Sequence, residues 1–494
     1  MDIKKMLLEI VNDETNFRYS FMAIEKLVYT MMEDYLRRQN KQIFSAKMHS
    51  GALYDMLLPD GIDNVSGTVA VDIKIFRNIN MLPNRIYDWI GRIALGSESF
   101  DELLIIIINE IPEKIRKRML ERVEQLRFGL HIWDVDDLVK IFESNEELFI
   151  QTYNNLSFTM LQDAVSRGIA RRDEVKHKKR NEYIERLSKE YRNDNIVLFL
   201  GAGVSSAAKI ATWDSLISEL FVELVDKQLS INQIQMGEAE RENILKEVAL
   251  QHGNSPLLQT RFLRNGFDGD FEQLVSEILY KKADDTSDLL EEIGQLCIPN
   301  RGKLGIQAIV NYNFDDLVEK NLTRLRVRHH SIYGEGMMPG SEELGIYHVH
   351  GFLPQNRSGY ENLTKSLLVF SEEGYHKLMM EPYHWANISQ LNFMMNNTCI
   401  FIGLSMTDPN MRRLLEVAAQ KKSEEDSMCR HFAIMRRFHM KGSEENDAIK
   451  SFEGVNESLQ ESFFRELGVN VIWVDEYCEI PNLLRQIKGR YDSY

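Results

Sequence analysis

The sequence is poor in cysteine, and its cysteines lack the close pairing of a zinc ribbon. Four occur among the 494 residues: Cys297, Cys399, Cys429 and Cys478. No Cys-x-x-Cys pair is present, which argues against a structural zinc site. We therefore expect no zinc and reduced thiols that are mostly buried.

Long hydrophobic runs are also absent. The longest apolar run, Leu103–Ile108, has the length of a strand, whereas a membrane-spanning helix needs about 18 or more apolar residues. Residues 1–17 are rich in charge and lack the apolar core and cleavage site of a signal peptide. The sequence therefore predicts a cytoplasmic protein with no membrane span.

Positive charge is in deficit, because the formal net charge is −16. A chain of this charge would bind nucleic acid only through a local basic patch. Its hydrophobic content of 44% and charged content of 27% are those of a folded globular protein. The length is sufficient for about two to four domains.

A charged segment separates two parts of the chain. Residues 167–192 contain ten Lys or Arg and five acidic residues, with no proline, which favours an exposed connecting helix over an arm that binds nucleic acid. The predicted divisions are 1–152 for an amino-terminal domain, 153–192 for the connector and 193–494 for a carboxyl-terminal domain.

The carboxyl-terminal part alternates short apolar strands with helices, which predicts a doubly wound parallel sheet. After the apolar run at 196–200, strands are expected at 305–313, 344–351, 366–371, 397–405 and 469–475. The amino-terminal part predicts a smaller α/β domain with a helix at 17–38 and strands at 51–61, 67–77, 102–111 and near 129.

A glycine-rich turn follows the first of these carboxyl-terminal strands. A strand, a turn with closely spaced glycines and a helix form the phosphate-binding arrangement of dinucleotide folds. Ser206 stands where a third glycine is usual, and no acidic strand end follows, so a hydride-transfer domain is disfavoured. The alternative is a structural turn with Ser205 or Ser206 as helix N-cap. The residues that would cradle a pyrophosphate are Gly201, Ala202, Gly203 and Ser205.

Three later strand ends carry polar or small residues. Because the carboxyl ends of parallel strands meet at one edge of a sheet, we expect these residues to converge there with the glycine turn. Each has a simpler alternative, namely a turn residue, a packed histidine beside His348, and an ordinary helix start at Asp408-Pro409. The residues are Asn313, Asp315, His350, Gly351, Gly403, Ser405 and Asp408.

This ordered set of motifs resembles the sirtuin fold, a Rossmann-like doubly wound sheet, over about residues 190–494. The closest resemblance is to the bacterial sirtuin-like branch of antiphage defence, whose Trp-Asp-Ser-Leu motif is matched at 213–216. Protein-deacylating sirtuins carry a four-cysteine zinc ribbon after the His-Gly motif, whereas here only Cys399 lies between Gly351 and Gly403. The resemblance therefore implies hydrolysis of NAD rather than deacylation.

The resemblance also implies roles for the residues of these motifs. Asn313 would orient the ribose or a water, and His350 would act as a general base on a ribose hydroxyl or on water. Asp315 would hold the nicotinamide end or support its loop. The residues expected on the adenosine side are Gly403, Ser405 and Asp408.

A second constellation lies in the amino-terminal part. Asp55 and Asp72 fall at predicted strand ends, Lys74 shares a strand face with Asp72, and Glu25 is a candidate third acid. Two carboxylates can hold Mg²⁺ while a lysine stabilises phosphate charge. The pattern resembles the PD-(D/E)xK restriction-endonuclease-like fold over about residues 1–150. The alternatives are surface residues or a fold that only binds.

Together these features predict a defence effector that depletes NAD in infected cells. Such an enzyme must stay inactive until infection, so we expect a regulated homo-oligomer, or a partner subunit that senses nucleic acid such as DNA. One alternative is a Mg²⁺-dependent DNA endonuclease whose sirtuin-like domain is a nucleotide-binding regulator. The others are a protein deacylase or ADP-ribosyltransferase, and a non-catalytic scaffold.

Overall fold

The computed structural model of the protein describes most of the chain, and the chain divides into two compact units. Unit 1 comprises Met1–Glu182, Ala419–Cys429 and Phe438–Gly468, and unit 2 comprises Tyr183–Ala418, Arg430–Arg437 and Val469–Tyr494. The described residues are 2–11, 17–45, 54–75, 86, 89–90, 93, 100–120, 127–156, 165, 173–234, 236–251, 263, 267, 271–299, 305–370, 374, 378–421, 429–440 and 446–489.

The strands alternate with helices along both units. The strands are β1 (Phe44–Ser45), β2 (Met56–Leu58), β3 (Val69–Lys74), β4 (Glu102–Ile107), β5 (Gly129–Trp133), β6 (Ile196–Leu200), β7 (Ile306–Asn311), β8 (His329–Ile332), β9 (Leu344–His348), β10 (Thr398–Ile402), β11 (His431–Arg436) and β12 (Val469–Val474).

The helices vary from a single short turn to more than five turns. They are α1 (Ile3–Val11), α2 (Phe17–Arg38), α3 (Glu113–Leu120), α4 (Val135–Phe142), α5 (Glu146–Asn154), α6 (Asp173–Arg192), α7 (Ala202–Ser206), α8 (Trp213–Ile231), α9 (Glu238–Gln251), α10 (Phe271–Tyr280), α11 (Asp288–Leu296), α12 (Leu317–Arg324), α13 (Trp385–Asn396), α14 (Pro409–Lys421), α15 (Asp447–Glu466) and α16 (Ile480–Lys488). Among the described residues, none of these helices is long and apolar enough to cross a membrane.

Unit 1 is built around a five-stranded mixed sheet in the order β1-β2-β3-β4-β5. The first three strands pair antiparallel and the last three pair parallel. Alternate residues of β4 enter two different hydrophobic cores, so that Leu104 and Ile106 pack on one face while Leu103 and Ile105 pack on the other. Burial of both faces explains the unbroken apolar sequence of this strand. The restriction-endonuclease-like identity of the unit stays a prediction.

Unit 2 contains a seven-stranded sheet in the order β12-β11-β10-β6-β7-β9-β8. Every neighbouring pair is parallel, which confirms the predicted doubly wound parallel sheet. The chain leaves β6 toward β7 on one side and later returns to β10 on the other, so the strand order reverses between β6 and β10. In open α/β sheets, ligands bind at the carboxyl edge of such a switch point.

Some predicted elements differ in the structure. The strand expected at 366–371 is wrong for its described part, because residues 366–370 are not in a strand. Their backbone instead contacts the carboxyl edge of β9, where the Val369 N–H donates to the His350 carbonyl at 2.7 Å. Strands β8 and β11 were not expected. Residues 51–53, 76–77 and 371 of the predicted strands lie outside the described residues, as do residues 157–164 and 166–172 of the predicted connector. The predicted domain limits stay a prediction.

Candidate functional site

Four strand ends meet at the switch point of the unit 2 sheet. The register pairs Leu200 with both Ile402 and Asn311, and it pairs Asn311 with His348. The segments that directly follow β6, β7, β9 and β10 therefore lie at one edge of the sheet. These segments carry the predicted residues of unit 2: Gly201, Ala202, Gly203, Ser205, Asn313, Asp315, His350, Gly403, Ser405 and Asp408.

The glycines pack the turn after β6 against the turn after β10. The Gly203 N–H donates to the Gly403 carbonyl at 2.9 Å, and a Cβ added to Gly203 would lie 2.7 Å from the Gly403 Cα. Gly403 has a φ of +67°, and its own added Cβ would lie 2.5 Å from the Val204 nitrogen. Side chains at either position would separate the two turns, so these glycines are needed for backbone contact.

The helix after the glycine turn is short. α7 has five residues, and its N-cap is Gly201, which makes no side-chain cap. The alternative in which Ser205 or Ser206 caps this helix is therefore wrong, since both lie inside it. A longer helix, α8, begins at Trp213 with Thr212 as its N-cap. Ala202, Gly203 and Ser405 are exposed at the edge of the sheet, where a ligand could approach them.

Asn313 is held by its side-chain amide. Its Nδ2 donates to the Gly201 carbonyl at 3.0 Å and to the Ser205 Oγ at 2.9 Å. A carbonyl can only accept, so these bonds fix which end of the amide faces the glycine turn. Within the described residues, no group donates to Asn313 Oδ1, and this oxygen remains available as an acceptor at the sheet edge.

Ser205 and Asp315 lie beneath the loop that carries Asn313. The Ser205 Oγ accepts from Asn313 Nδ2, and the Leu317 N–H donates to Asp315 Oδ1 at 3.1 Å. Burial raises the pKa of Asp315 to about 6, although the neighbouring Ser205 hydroxyl and the Leu317 N–H oppose the rise. Ser205 and Asp315 are only 1% exposed, so they support the loop from beneath rather than lie at its open surface.

A buried ion pair holds the backbone of the same loop. His348 Nε2 lies 2.6 Å from Glu319 Oε1, and its Nδ1 lies 3.2 Å from the Asn313 carbonyl oxygen. Both ring nitrogens therefore lie against oxygen atoms that can accept a hydrogen bond. Burial would raise the pKa of Glu319, but the charge and hydrogen bond of His348 and the Ser331 hydroxyl outweigh it and hold that pKa below its usual range. The alternative of a packed, hydrogen-bonded histidine is correct for His348.

His350 occupies a different environment at the end of the same strand. Its side chain is 10% exposed, and its ring centroid lies 4.5 Å from that of Tyr312 in an edge-on arrangement. Its Nε2 lies 3.5 Å from Asp408 Oδ2. Burial lowers the pKa of His350, and the Asp408 carboxylate partly opposes this. The imidazole is therefore neutral near pH 7 and can accept a proton.

Asp408 serves both a helix and the site. Its Oδ1 accepts the Met411 N–H at 2.7 Å, as expected for an N-cap at the start of α14. Its Oδ2 is the oxygen that faces His350. The sequence indicated the helix start correctly, but the spacing of the two residues along the chain gave no sign that they meet. Tyr312 and the Glu319–His348 pair were also not foreseen, because their roles depend on contacts between different strands and helices.

The predicted constellation of unit 1 is also assembled in part. Lys74 Nζ lies 2.6 Å from Asp72 Oδ2 and 4.3 Å from the centre of the Trp89 ring. Asp55 Oδ2 accepts the Ile73 N–H at 2.8 Å. Burial and the neighbouring Asp55 raise the pKa of Asp72 well above its usual value, against the attraction of Lys74.

The third candidate acid does not complete a metal site. Glu25 is buried in α2. Across the described part of the chain, no group of three His, Cys, Asp or Glu side chains is arranged to hold a metal ion. A Mg²⁺ site at Asp55 and Asp72 stays a prediction, as does the absence of zinc.

Comparison with known proteins supports the sirtuin-like prediction. Residues 307–462 match the SIR2-like domain family. The match includes Asn313, His350 and Asp408, and it begins after the glycine turn. It thus covers three of the four strand ends that form the site.

Relatives matched over a longer part of the chain are named NAD(+) hydrolase ThsA. The protein from Enterococcus faecium is 21% identical over 318 residues, which are 62% of this chain and 58% of that protein. The proteins from Bacillus cereus (strain MSX-D12) and Acinetobacter baumannii (strain 532279) are 21% and 22% identical, over 62% of this chain and 56% of theirs. The match thus spans little more than half of the length of these relatives.

Proposed function

We propose that unit 2 hydrolyses NAD to nicotinamide and ADP-ribose. The observation that carries this proposal is the meeting of Asn313 and His350 at the switch point of the parallel sheet, with Asn313 Oδ1 available and His350 in its basic form. The names of the relatives supply the substrate. A zinc-dependent deacylase is disfavoured by the same cysteine spacing that argues against a zinc ribbon, and an ADP-ribosyltransferase stays an alternative.

The reaction needs few groups from the protein. The bond between the ribose C1′ and the nicotinamide nitrogen breaks, and its electron pair neutralises the pyridinium ring. The resulting ribosyl cation resembles the transition state of glycoside cleavage. Water forms the new C1′–O bond, and the proton that it loses passes to His350 and then to solvent. Activation of a ribose hydroxyl by His350 is a second route to the same products.

Asn313 is suited to orient the reacting groups. Its Nδ2 is fixed by Gly201 and Ser205, so its Oδ1 has a defined direction and can accept a hydrogen bond from a ribose hydroxyl or from the attacking water. Such positioning lowers the activation barrier because the reactants lose less freedom in the transition state. Asp315 is buried and supports the loop of Asn313 from beneath.

The pyrophosphate is proposed to lie along the exposed edge of the two turns. The Gly203 N–H is already bonded to the Gly403 carbonyl. The Ala202 N–H belongs to the first residue of α7, so it has no intrahelical acceptor and is proposed to donate to phosphate. Absence of side chains at Gly201 and Gly203 lets the phosphates approach the backbone. Gly403 and Ser405 remain the proposed adenosine side.

The test is release of nicotinamide from NAD by the purified full-length protein, followed by chromatography. We expect turnover by the wild type and a fall of about 100-fold or more for His350→Ala and for Asn313→Ala. His330→Ala, on the edge strand β8, is the matched control and should retain full activity. Equal rates in all four proteins would refute the proposal.

Loss of NAD in the cell is the proposed defence effect. Expression of the wild type during phage infection should lower cellular NAD, whereas the His350→Ala variant should not. We also propose that an oligomer or a partner that senses nucleic acid controls the enzyme. If the purified protein is inactive alone but turns over NAD when phage DNA is added, that control is supported.

A second candidate function is Mg²⁺-dependent DNA cleavage by unit 1. The observation that favours it is the contact among Asp55, Asp72 and Lys74. Mg²⁺ is commonly held by one or two carboxylates, so Asp55 and Asp72 would hold it and Lys74 would face the phosphate. The tight pairing of Lys74 with Asp72 and Trp89 opposes this reading. Binding of Mg²⁺ should change tryptophan fluorescence in the wild type and not in Asp72→Asn, and DNA cleavage should follow the same pattern.

A further inference from the structure

We propose that Asp408 is a positioning residue for His350: it fixes the direction and the tautomer of the imidazole and stabilises its protonated form. The inference rests on the proposed hydrolysis of NAD and gives Asp408 a role different from the adenosine contact that the resemblance implied. The proposed role depends on the charge of the Asp408 carboxylate, so removal of that charge tests it separately from the rest of the site.

The side chain of Asp408 has little freedom to rotate. Its Oδ1 is tied to the Met411 N–H, and Met411 is fully buried. Asn410, two residues after Asp408, is also buried, and its Nδ2 donates to Asn387 Oδ1 on α13 at 2.9 Å. The first turn of α14 is thus fixed to a neighbouring helix, and the second oxygen of Asp408 has a fixed direction.

The second carboxylate oxygen of Asp408, Oδ2, faces the imidazole of His350. The distance from Asp408 Oδ2 to His350 Nε2 is 3.5 Å, and the two side chains are 11% and 10% exposed. At this separation a small closing movement gives a charge-assisted hydrogen bond. The proton of the neutral ring would then lie on Nε2, and Nδ1 would carry the lone pair that accepts a proton from water or from the ribose.

Asp408 places a charge beside the ring. Tyr312, from the segment after β7, lies against the imidazole with its ring edge-on, and its hydroxyl is bonded to Gln390 Oε1. Asp408, from the start of α14, contributes a carboxylate oxygen 3.5 Å from Nε2. This carboxylate can stabilise an imidazolium at a place where burial disfavours it.

The contact between Asp408 and His350 affects the proton transfer of the proposed reaction. When water attacks C1′, its proton moves to His350 Nδ1 and the ring becomes positively charged. The carboxylate of Asp408 attracts that charge and thereby lowers the energy of the transition state. The proton leaves to solvent after release of ADP-ribose, which restores the neutral ring.

Asp408→Asn is the variant that tests this role. An asparagine is as good an N-cap as aspartate, and its Oδ1 can still accept from Met411, so the helix start is retained while the charge is lost. We expect kcat to fall by about 10- to 1,000-fold, with KM for NAD changed by less than about twofold. We also expect the acidic limb of the pH profile of kcat to move to lower pH, because the pKa of His350 falls further without the carboxylate.

The matched control is Asp288→Asn, which makes the same change in the first turn of α11. Asp288 is exposed and lies outside the site, so kcat, KM and the pH profile should equal those of the wild type. The thermal midpoint of Asp408→Asn should remain close to that of the wild type, which would show that the cap is intact. A ¹⁵N spectrum of the imidazole should show the proton on Nε2 in the wild type.

Three results would overturn the proposal. An unchanged kcat would mean that the charge is not used. A lower kcat with an unmoved acidic limb would make Asp408 a structural cap. A raised KM with unchanged kcat would place it on the adenosine side. If the wild type itself releases no nicotinamide under any condition tested, the proposed function has failed, which is a different result from all three.

Discussion

Replacement of Glu319 by glutamine should destabilise unit 2 and weaken the site. Glu319 Oε1 accepts from both His348 Nε2 and the Ser331 hydroxyl, at 2.6 and 2.8 Å. Glutamine keeps the shape but removes the negative charge. His348 Nε2 then faces a neutral side chain in the core, and its hydrogen bond to that side chain weakens.

The magnitude follows from the burial of the pair. The His348 and Glu319 side chains are 0% and 2% exposed, so solvent does not screen the interaction. Removing one partner of a buried ion pair costs about 3–5 kcal/mol. Because glutamine keeps an amide oxygen that can accept from His348 Nε2, we expect the lower end, about 3 kcal/mol. The cost should appear in native-state hydrogen exchange of amides in β7 and β9, the strands next to this pair.

Glu291→Gln is the matched control. Glu291 lies 2.9 Å from Arg324 at the surface, and both side chains are about half exposed. An exposed pair of this kind contributes less than about 1 kcal/mol. If the two variants lose the same small amount of stability, the ion pair in the core is not the support that its geometry indicates, and the reasoning fails.

The pH dependence provides an independent check. Because the folded-state pKa of Glu319 lies below the unfolded value of 4.5, its contribution is complete above that value and is lost as the pH falls through the folded-state pKa. The difference in stability between the wild type and Glu319→Gln should therefore shrink in acid. In the same variant kcat should fall, since His348 Nδ1 no longer holds the Asn313 carbonyl firmly, but the acidic limb set by His350 should not move.

Two further substitutions test other parts of the site. Gly203→Ala should destabilise unit 2 by about 1–3 kcal/mol, measured by chemical unfolding, because its Cβ would lie 2.7 Å from the Gly403 backbone; an unchanged stability would contradict the tight contact of the two turns. Asp315→Asn keeps acceptors for Ser205 and Leu317, and it removes a group whose pKa rises from 3.8 to about 6 on folding. As the pH rises from 4 to 6, the stability of the wild type should therefore fall relative to this variant by up to about 3 kcal/mol. Parallel stability profiles of the two proteins would refute this.

Local sequence pattern was enough to locate the edge of the sheet that carries the site. Strand ends with glycine, asparagine and histidine are readable because a parallel sheet places all its carboxyl ends together. The strand expected at 366–371 was wrong for a physical reason. A short apolar run can also be a buried segment without strand pairing, and here Val369 bonds the backbone of His350 beyond the end of β9.

The partners of the site residues could not be predicted in the same way. Glu319 lies on α12, His348 on β9 and Ser331 on β8, and their contact depends on how the strands are ordered. The Asp-Pro sequence at Asp408 is a local signal for the start of a helix. The hydrogen bond accepted by Oδ1 is sufficient to explain that signal. The second oxygen of Asp408 has no local sequence signal. It faces His350, which follows a strand more than fifty residues earlier in the chain.

The two proposed reacting groups are supported by separate parts of unit 2. Asn313 is fixed through its backbone by the buried Glu319–His348 pair and through its side chain by Gly201 and Ser205, whereas His350 faces a carboxylate at the start of α14. The electrostatic contribution of that carboxylate falls quickly as the pair separates. The hydrogen bond of Asn410 to Asn387, which fixes the start of α14 to α13, therefore also maintains the contact between Asp408 and His350.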